Sequence, residues 1–252
     1  MKRARIAYKG AAQWAEVLDD GTTLRLPNGE AIAATDAQWL APALQGATIF
    51  ALGLNYADHR KELGFKNQDP PLIFLKGPNS LVGHLGETAR PSDANQMHPE
   101  CELVAIIGKP ARSVNAGEAL NCVGGYTIAC DYAIREYLEN YYRPNLAVKN
   151  RDATTPLGPW MVDAADIVDP QNLGLRTLVN GKVVQEGSTS DMIMTVAQLI
   201  AYLSETMTLM PGDMILTGTP QGVHFCSAGD EVVCEIQTVG RLVNRLVVEA
   251  SQ

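Results

Sequence analysis

A strand-dominated α+β fold is predicted by three observations on this sequence of 252 residues. Many short apolar runs are separated by Gly, Pro, Asn and Asp residues, as expected for strands joined by tight turns. Only two or three segments have helical character, and strands and helices do not alternate regularly along the chain. These features favour a β-sandwich or β-roll over a doubly wound parallel sheet.

Residues 1–47 are expected to form a small, β-rich N-terminal domain. Apolar strands are predicted at residues 6–8 and 14–18, with Lys9-Gly10 between them. A third strand at residues 22–26 follows an Asp-Gly turn signal. The alanine-rich stretch at residues 31–44 is predicted to be helical in part.

Residues 48–252 are expected to form a second, larger domain. Strands are predicted at residues 49–53, 72–76, 102–108, 123–130 and 214–217, with two more between 230 and 248. The Asn-Gly pair at 180–181 lies between apolar flanks and predicts a hairpin with a type I′ turn. Helices are predicted at residues 131–142, which contain no helix breaker, and at residues 196–206, where apolar residues recur at helical spacing.

Composition and charge limit the classes of function. The hydrophobic fraction is 46% and the charged fraction 19%, which is typical of globular proteins. The net charge of −8 argues against sequence-independent binding of nucleic acids, which needs a basic surface.

The sequence also indicates where the protein is located. No apolar run approaches the roughly 18–20 residues that span a bilayer, and the basic N-terminus lacks the apolar segment of a signal peptide, so a cytoplasmic protein is expected. The five cysteines include no C-x-x-C pair, so neither a disulfide framework nor a cysteine zinc site is expected.

Two acidic residues at the start of a predicted strand indicate a possible metal site. Side chains alternate faces along a strand, so Glu100 and Glu102 point to the same side and Cys101 to the other. Asp131 follows another apolar strand and could supply a third oxygen ligand. Three carboxylates suit Mg²⁺ or Mn²⁺ rather than zinc. The alternative is a solvated strand end, with Asp131 capping the predicted helix.

Five ordered motifs resemble those of the fumarylacetoacetate hydrolase family. They are GLNYADH (53–59), FLK (74–76), HPECEL (98–103), GYTIACD (125–131) and LTGTPQGV (216–223), and the resemblance extends over about residues 48–245. It implies a mixed β-sandwich roll and a divalent ion, Mg²⁺ or Mn²⁺, held by Glu100, Glu102 and Asp131. It also implies a small-molecule 2-oxo carboxylate substrate, whose negative charge the ion would stabilise during the reaction.

Three further segments narrow the resemblance within the family. DYAIR (131–135), YYRPNL (141–146) and VKNRD (148–152) are similar to the metal-binding half of family members that act in homoprotocatechuate catabolism. Those members are 5-oxopent-3-ene-1,2,5-tricarboxylate decarboxylases and 2-hydroxyhepta-2,4-diene-1,7-dioate isomerases, commonly built from two such halves. The resemblance implies a decarboxylase and isomerase that acts through a metal-stabilised dienolate, with this single half forming a homodimer or pairing with a sister half.

The resemblance also assigns roles to residues outside the carboxylate cluster. His59 and Glu62 match a catalytic dyad on a lid, in which the carboxylate orients the imidazole for proton transfer. The polar stretch at residues 64–71 is interpreted as a mobile flank of that lid. From spacing alone, a solvent-exposed helix that carries both side chains is the favoured interpretation, and the motif reverses this preference.

Further basic and polar residues are expected to contact the substrate. The resemblance places Lys76 and the catalytic Lys149 beside the metal, where they would hold a carboxylate and stabilise an enolate oxygen. Thr219 matches a carboxylate contact, and Arg135 and Tyr142 could meet a distal carboxylate. Without the resemblance, Lys149 would be interpreted as a solvated loop charge and Thr219 as part of a turn.

Other functions remain open at this point. An acylpyruvate C–C hydrolase would use the same metal and a water molecule activated by the His59–Glu62 pair. Decarboxylation of oxaloacetate is a further alternative. The chain could also be an inert half that only stabilises a sister subunit, although its intact set of candidate catalytic residues argues against that.

Overall fold

The computed structural model describes residues 1–64, 71–138 and 145–250 of the chain, and many more of them lie in strands than in helices. The first nine strands are β1 (Lys2–Tyr8), β2 (Ala11–Val17), β3 (Thr23–Arg25), β4 (Ala31–Ala33), β5 (Gln38–Leu40), β6 (Ile49–Gly53), β7 (Leu72–Leu75), β8 (Leu81–Val82) and β9 (Gly86–Arg90). The others are β10 (Met97–His98), β11 (Cys101–Ile107), β12 (Val123–Cys130), β13 (Ala133–Ile134), β14 (Thr155–Asp163), β15 (Gly174–Val179), β16 (Lys182–Ser188), β17 (Met214–Leu216), β18 (Glu231–Ile236) and β19 (Gly240–Val248).

The helices are few and mostly short. The α-helices are α1 (Ala57–Glu62), α2 (Ala116–Ala119), α3 (Leu146–Lys149) and α4 (Val196–Thr206). Single 3-10 turns cover Ala34–Asp36, Pro78–Ser80, Leu120–Cys122, Arg135–Tyr137, Ala164–Asp166 and Thr189–Asp191. None of the helices in the described parts of the chain is long and apolar enough to cross a bilayer.

Two sheets pack face to face around the main core. The larger has the strand order β4-β3-β2-β1-β14-β12-β11-β17-β6-β7, with β5 beside β1 and β8 beside β14, and the smaller has the order β16-β15-β18-β19-β9. Antiparallel and parallel pairs occur in both sheets, and β12 and β14 contact β19 across the interface. Buried residues from both sheets and from α4 form one continuous hydrophobic cluster. This arrangement confirms the predicted strand-dominated α+β sandwich.

The N-terminal strands have a small core of their own but join the large sheet. Ile6, Leu24 and Trp39 belong to a separate buried cluster that this segment supplies almost alone. At the same time, β1 pairs with β14 through Lys2 and its partner Val162. The division of the chain at residue 47 stays a prediction.

The partly helical interpretation of residues 31–44 is wrong. Only Ala34–Asp36 forms a 3-10 turn, and strands β4 and β5 lie on either side of it. Alanine favours helices, but β4 pairs with β3, and β5 pairs with β1 and buries Trp39. Tertiary pairing therefore overrides the local propensity.

The helix predicted at residues 131–142 is also wrong over its described part. Residues 131–134 are buried one after another, which a helix with a single buried face would not allow. Instead β13 pairs with β10, with Met97 opposite Ile134, and a 3-10 turn at Arg135–Tyr137 follows. Residues 139–142 lie outside the described residues.

The predictions that rested on short-range signals are confirmed. Helix α4 covers the predicted residues and begins at a capping box formed by Thr195 and Gln198. Strands β15 and β16 form the expected hairpin, in which Asn180 (φ 50°) and Gly181 (φ 76°) have the positive φ angles that a type I′ turn requires.

Candidate active site

The pairing of β11 with β12 brings three carboxylates together. Cys101 lies opposite Cys130, so Glu100 and Asp131 are neighbours just beyond this pair, and the Asp131 N–H donates to the Glu100 carbonyl oxygen at 2.9 Å. Glu102 is two residues along β11 and points to the same face. Oxygens of the three carboxylates lie within 4.8 Å of one another, and all three residues are buried.

Two oxygens of this carboxylate cluster accept no hydrogen bond from the residues that the structure describes. Glu102 Oε2 accepts from the Gly218 N–H at 2.6 Å, but its Oε1 has no partner. Asp131 Oδ2 lies 3.0 Å from Lys149 Nζ without the geometry of a hydrogen bond. Gly218 has φ +86°, and a Cβ there would lie 3.0 Å from Asn55 Cβ, so glycine allows the backbone N–H to approach Glu102.

Two buried lysines border the cluster. Lys149 ends α3, and its Nζ lies 2.6 Å from Glu100 Oε2 and donates to the Asp131 carbonyl oxygen at 2.9 Å. Lys76 follows β7, and its Nζ donates to Asp131 Oδ1 at 2.7 Å and to the Lys149 carbonyl oxygen. The structure thus places both lysines predicted from the sequence beside the acidic residues.

The charges of these groups shift their pKa values in opposite directions. Burial raises the pKa of Glu100, but Lys149 and other basic groups outweigh burial and hold this pKa well below its usual range. Burial together with the charges of Asp131 and Glu100 raises the pKa of Glu102 well above its usual range. Burial lowers the pKa of Lys149, but Asp131 and Glu100 outweigh it, so the net shift is upward. Glu102 is therefore the carboxylate that the described cations compensate least.

This donor set fits a divalent cation. A buried oxygen without a hydrogen bond costs about 1–3 kcal/mol, which applies to Glu102 Oε1, whereas Asp131 Oδ2 is compensated only by its ion pair with Lys149. A cation held by Glu100, Glu102 and Asp131 would satisfy both of them and would compensate the charge of Glu102. Oxygen-only ligands suit Mg²⁺, Mn²⁺ or Ca²⁺ and not the softer metals.

His59 and Glu62 form the predicted pair on α1. His59 is buried, and its Nδ1 lies 3.1 Å from Glu62 Oε2. The Glu62 carboxylate also accepts from the backbone N–H groups of Gly222 and Val223 at 3.1–3.2 Å. Burial raises the pKa of Glu62, but the hydrogen bonds from these N–H groups and the contact with His59 together lower this pKa by more, so the net shift is downward. Glu62 is therefore a fixed anion that orients the imidazole and leaves Nε2 free of this contact.

A cavity of about 280 Å³ joins these parts. Its polar lining includes Glu100, Lys149, His59, Thr219 and Arg135, and much of the remaining lining is aliphatic. The structure therefore brings five of the predicted site residues to one cavity.

The other predicted site residues occupy different positions. Glu102, Asp131 and Lys76 are buried beside the cavity and are absent from its lining, and Glu62 lies behind His59. Tyr142 and most of the predicted lid flank lie outside the described residues.

His98 is part of the site although no role was predicted for it. Arg135 Nε donates to His98 Nε2 at 2.8 Å, and Arg135 Nη2 lies 3.1 Å from Glu100 Oε1. Burial lowers the pKa of His98 to about 3, so its ring is neutral and can accept this bond. His98 lies in β10, only two residues before Glu100, and this closeness along the chain is the sequence signal for its role.

The fold and the site together define a β-sandwich protein in which a buried cluster of three carboxylates, suited to a divalent cation, lies beside a cavity of small-molecule size. Residues 48–247 match the C-terminal domain of fumarylacetoacetate hydrolase. The chain belongs to the fumarylacetoacetate hydrolase family, as the motifs predict.

Two relatives illustrate the similarity of this chain to other members of the family. The chain is 57% identical over 210 residues to a 4-hydroxyphenylacetate degradation bifunctional isomerase/decarboxylase from Salmonella dublin, with coverage of 83% of this chain and 49% of the relative. The crystal structure of a 2-hydroxyhepta-2,4-diene-1,7-dioate isomerase from Mycobacterium marinum superimposes with a TM-score of 0.86 at 34% identity and covers 100% of both chains. The chain spans about half the length of the curated bifunctional relatives it matches.

A third similar structure contains a metal. Fumarylpyruvate hydrolase from Pseudomonas aeruginosa, in complex with Mn²⁺ and pyruvate, gives a TM-score of 0.75 at 30% identity and covers 83% of this chain and 96% of that one.

Proposed function

We propose that the protein is a Mg²⁺- or Mn²⁺-dependent decarboxylase and isomerase of unsaturated 2-oxo di- and tricarboxylates in homoprotocatechuate (4-hydroxyphenylacetate) catabolism. The observation that carries the proposal is the single cavity in which a carboxylate cluster, a buried lysine and a His–Glu pair meet. The similarity to bifunctional isomerase/decarboxylases of that pathway supports the choice of substrate.

Glu100, Glu102 and Asp131 would hold the metal ion. When bound there, the ion would supply a Lewis acid for the negative charge that develops on the 2-oxo oxygen of the substrate. Lys149 would add a second positive charge, since its Nζ lies between Glu100 and Asp131 and it lines the cavity. Lys76 would act mainly through Asp131 and the end of α3, because it is absent from the cavity lining.

His59 would move the proton. Its Nδ1 faces Glu62, so Nε2 is the atom left to give a proton to, or take one from, the substrate carbon chain. Decarboxylation of 5-oxopent-3-ene-1,2,5-tricarboxylate releases electrons that pass through the C=C bond to the 2-oxo group. The product then needs one proton at carbon, and isomerisation of the product needs the same kind of transfer. One acid–base residue therefore suffices for both reactions.

Thr219 and Arg135 would bind the two ends of the substrate. Thr219 ends the turn after β17 and lines the cavity beside Lys149, where its hydroxyl would contact the 2-oxo carboxylate. Arg135 lies in the lining as well, and its guanidinium is held by His98 and Glu100. A distal carboxylate, which substrates of this pathway possess, would face this cation. Tyr142 is proposed as a further contact from sequence alone.

A substrate panel tests the proposal against hydrolysis. We expect CO₂ release and a seven-carbon dicarboxylate from 5-oxopent-3-ene-1,2,5-tricarboxylate, with solvent deuterium on the carbon chain of the product, and little cleavage of acylpyruvates. A hydrolase would instead need a positioned water and would release two carbon fragments, as the name of the Pseudomonas aeruginosa neighbour indicates for that protein. Rapid acylpyruvate cleavage without CO₂ release would overturn the assignment, and oxaloacetate belongs in the panel as the third candidate substrate.

Removal of the metal tests the site itself. Excess EDTA should abolish turnover, and Mg²⁺ or Mn²⁺ should restore it. Glu100→Ala and Asp131→Ala should lose the ion but keep the fold, because a core of this size does not need a metal to fold. Glu87→Gln, a substitution of an exposed carboxylate on β9, is the matched control and should behave as wild type. Wild-type turnover in excess EDTA would contradict the proposal.

The active assembly is proposed to be a homodimer or a complex with a sister half. The support is that the bifunctional relatives are about twice as long as the matched region. The mass of the purified protein in solution distinguishes a monomer from a dimer. Turnover by the purified chain alone would contradict the alternative in which the chain is an inert half.

A further inference from the structure

Gln185 lies behind the cavity and contacts Thr219. It is in β16, 4% exposed, and is absent from the cavity lining. Its side-chain amide makes four hydrogen bonds. Nε2 donates to Thr219 Oγ1 at 2.9 Å and to the Pro220 carbonyl oxygen at 2.7 Å, and Oε1 accepts from Thr177 Oγ1 at 2.7 Å and from the Cys101 N–H at 3.4 Å.

The orientation of this amide follows from its partners. The Pro220 carbonyl oxygen can only accept a hydrogen bond, so it must face the NH₂ group of Gln185. The Cys101 N–H can only donate, so it must face the amide oxygen. A flipped amide would break both bonds. Gln185 is therefore the donor in its bond to Thr219.

The direction of this bond determines where the Thr219 proton points. Thr219 Oγ1 uses a lone pair to accept from Gln185, so its own O–H must point away from that amide. Among the residues that the structure describes, none accepts a hydrogen bond from this hydroxyl. Thr219 lines the cavity together with Glu100 and Lys149. Its O–H is therefore available as a donor to an anionic ligand in the cavity.

Close backbone packing fixes Gln185 against the turn that carries Thr219. Gly222 has φ +126°, and a Cβ there would lie 2.9 Å from Gln185 Cβ. Likewise, a Cβ at Gly187 would lie 2.7 Å from Pro220 Cβ. The turn and β16 approach so closely that only glycine fits at these positions, which leaves the amide little freedom to move.

We propose that Gln185 is a positioning residue that makes Thr219 a hydrogen-bond donor to the carboxylate of a 2-oxo acid or an oxalate-like dianion. The proposal rests on the carboxylate contact assigned to Thr219 under the proposed function, but it does not depend on which reaction follows binding. Gln185 touches neither the ligand nor the carboxylate cluster. Its effect is to set the direction of one proton in the cavity.

Gln185→Glu is the most informative substitution because it keeps the size and shape of the side chain. Glutamine offers two N–H protons, whereas a glutamic acid offers at most one, and the Pro220 carbonyl would take it. Thr219 would then have to donate to the new carboxyl group, and its proton would turn away from the cavity. A hydrogen bond to a charged group contributes enough that its loss should weaken binding about 10–100-fold.

The experiment compares Gln185→Glu, Thr219→Val and the double variant. The dissociation constant of oxalate is measured by calorimetry on Mg²⁺-loaded protein, with KM and kcat for any substrate that is turned over. We expect each single variant to weaken oxalate binding about 10–100-fold, with KM changing more than kcat. The double variant should bind no more weakly than Thr219→Val, because Gln185 acts through that hydroxyl. Gln237→Glu, an exposed substitution, is the control and should bind oxalate as wild type does.

Three outcomes would overturn the inference: unchanged oxalate affinity in Gln185→Glu, unchanged affinity in Thr219→Val, or effects that multiply in the double variant. If Gln185→Glu fails to fold, Gln185→Met replaces it, since methionine fills a similar volume without a hydrogen-bond donor. This variant should also raise the dissociation constant of oxalate. Failure of the proposed reaction is distinguishable, because the enzyme would then show no decarboxylation although the coupling in oxalate binding persists.

Discussion

Mild acid is expected to destabilise the fold through His84, which lies between β8 and β9. The His84 Nδ1 accepts a hydrogen bond from the Val243 N–H at 3.0 Å, and its ring packs edge-on against Trp39 at 5.1 Å between centroids. Burial, with a smaller contribution from Arg241, lowers the pKa of His84 to about 4. Protonation would place an N–H opposite the Val243 N–H and break this contact.

The direction and size of the effect follow from the two pKa values. The unfolded chain binds a proton at His84 near pH 6.5 and the folded chain only near pH 4, so stability should fall as the pH drops from about 6.5 to about 4. With these two pKa values and no screening by solvent, the free energy of unfolding at pH 4.5 would be about 2.5 kcal/mol lower than at neutral pH. Because His84 is only partly buried, solvent reduces this value, and we expect a loss of about 1–2.5 kcal/mol.

Urea unfolding at pH 7 and pH 4.5, in EDTA, measures this loss. His84→Asn keeps an acceptor near the Nδ1 position but does not titrate, so the variant should lose about 1–2.5 kcal/mol less than wild type between the two pH values. His224→Asn, a substitution of an exposed histidine, is the control and should follow wild type. Equal losses in wild type and His84→Asn would refute the reasoning.

Three further predictions concern the site and its support. His59→Ala should lower kcat by about 10²–10⁴-fold with little change in metal affinity, and Glu62→Gln should lower kcat less. Steady-state kinetics at saturating Mg²⁺ test both variants, and full activity of His59→Ala would mean that the residue is only a structural part of α1. Lys149→Met should tighten Mn²⁺ binding about 10-fold or more, because the ammonium no longer neutralises the carboxylates. Calorimetry on the substrate-free protein measures this affinity, and weaker Mn²⁺ binding in the variant would contradict the prediction. Asn55→Ala should lower the free energy of unfolding by about 2–4 kcal/mol, since the buried Asn55 amide makes hydrogen bonds to the backbone of Thr217 and to the backbone before α4. Urea unfolding measures this loss, and an unchanged midpoint would mean that water replaces these bonds.

Local signals were sufficient for several elements and for part of the site. The hairpin at Asn180 and Gly181 depends on two φ angles that this dipeptide favours. The limits of α4 depend on its cap and its apolar spacing, which also lie close together in the sequence. The shared face of Glu100 and Glu102 follows from the alternation of side chains along one strand. Each of these properties is determined within a few residues, so tertiary contacts did not change it.

The third carboxylate required more than spacing. Asp131 belongs to the cluster because β12 pairs with β11 in one register, and a shift by one residue would move it to the other face. The family motifs implied this residue, whereas residue spacing alone left it open. Local propensity even suggested a helix from Asp131 onward, and the burial of residues 131–134 on all sides decided against it.

The sequence by itself determined the strand-dominated class, the hairpin, the long helix and the pair of glutamates on one face, because each of these depends on neighbours along the chain. Only the tertiary structure decided which distant groups meet. Lys149 reaches Glu100 from another segment, and Gln185 in β16 of the smaller sheet reaches Thr219 in the loop that follows β17 of the larger sheet. Such contacts depend on sheet register and on the packing of one sheet against the other, which join residues far apart in the chain and leave no short-range pattern.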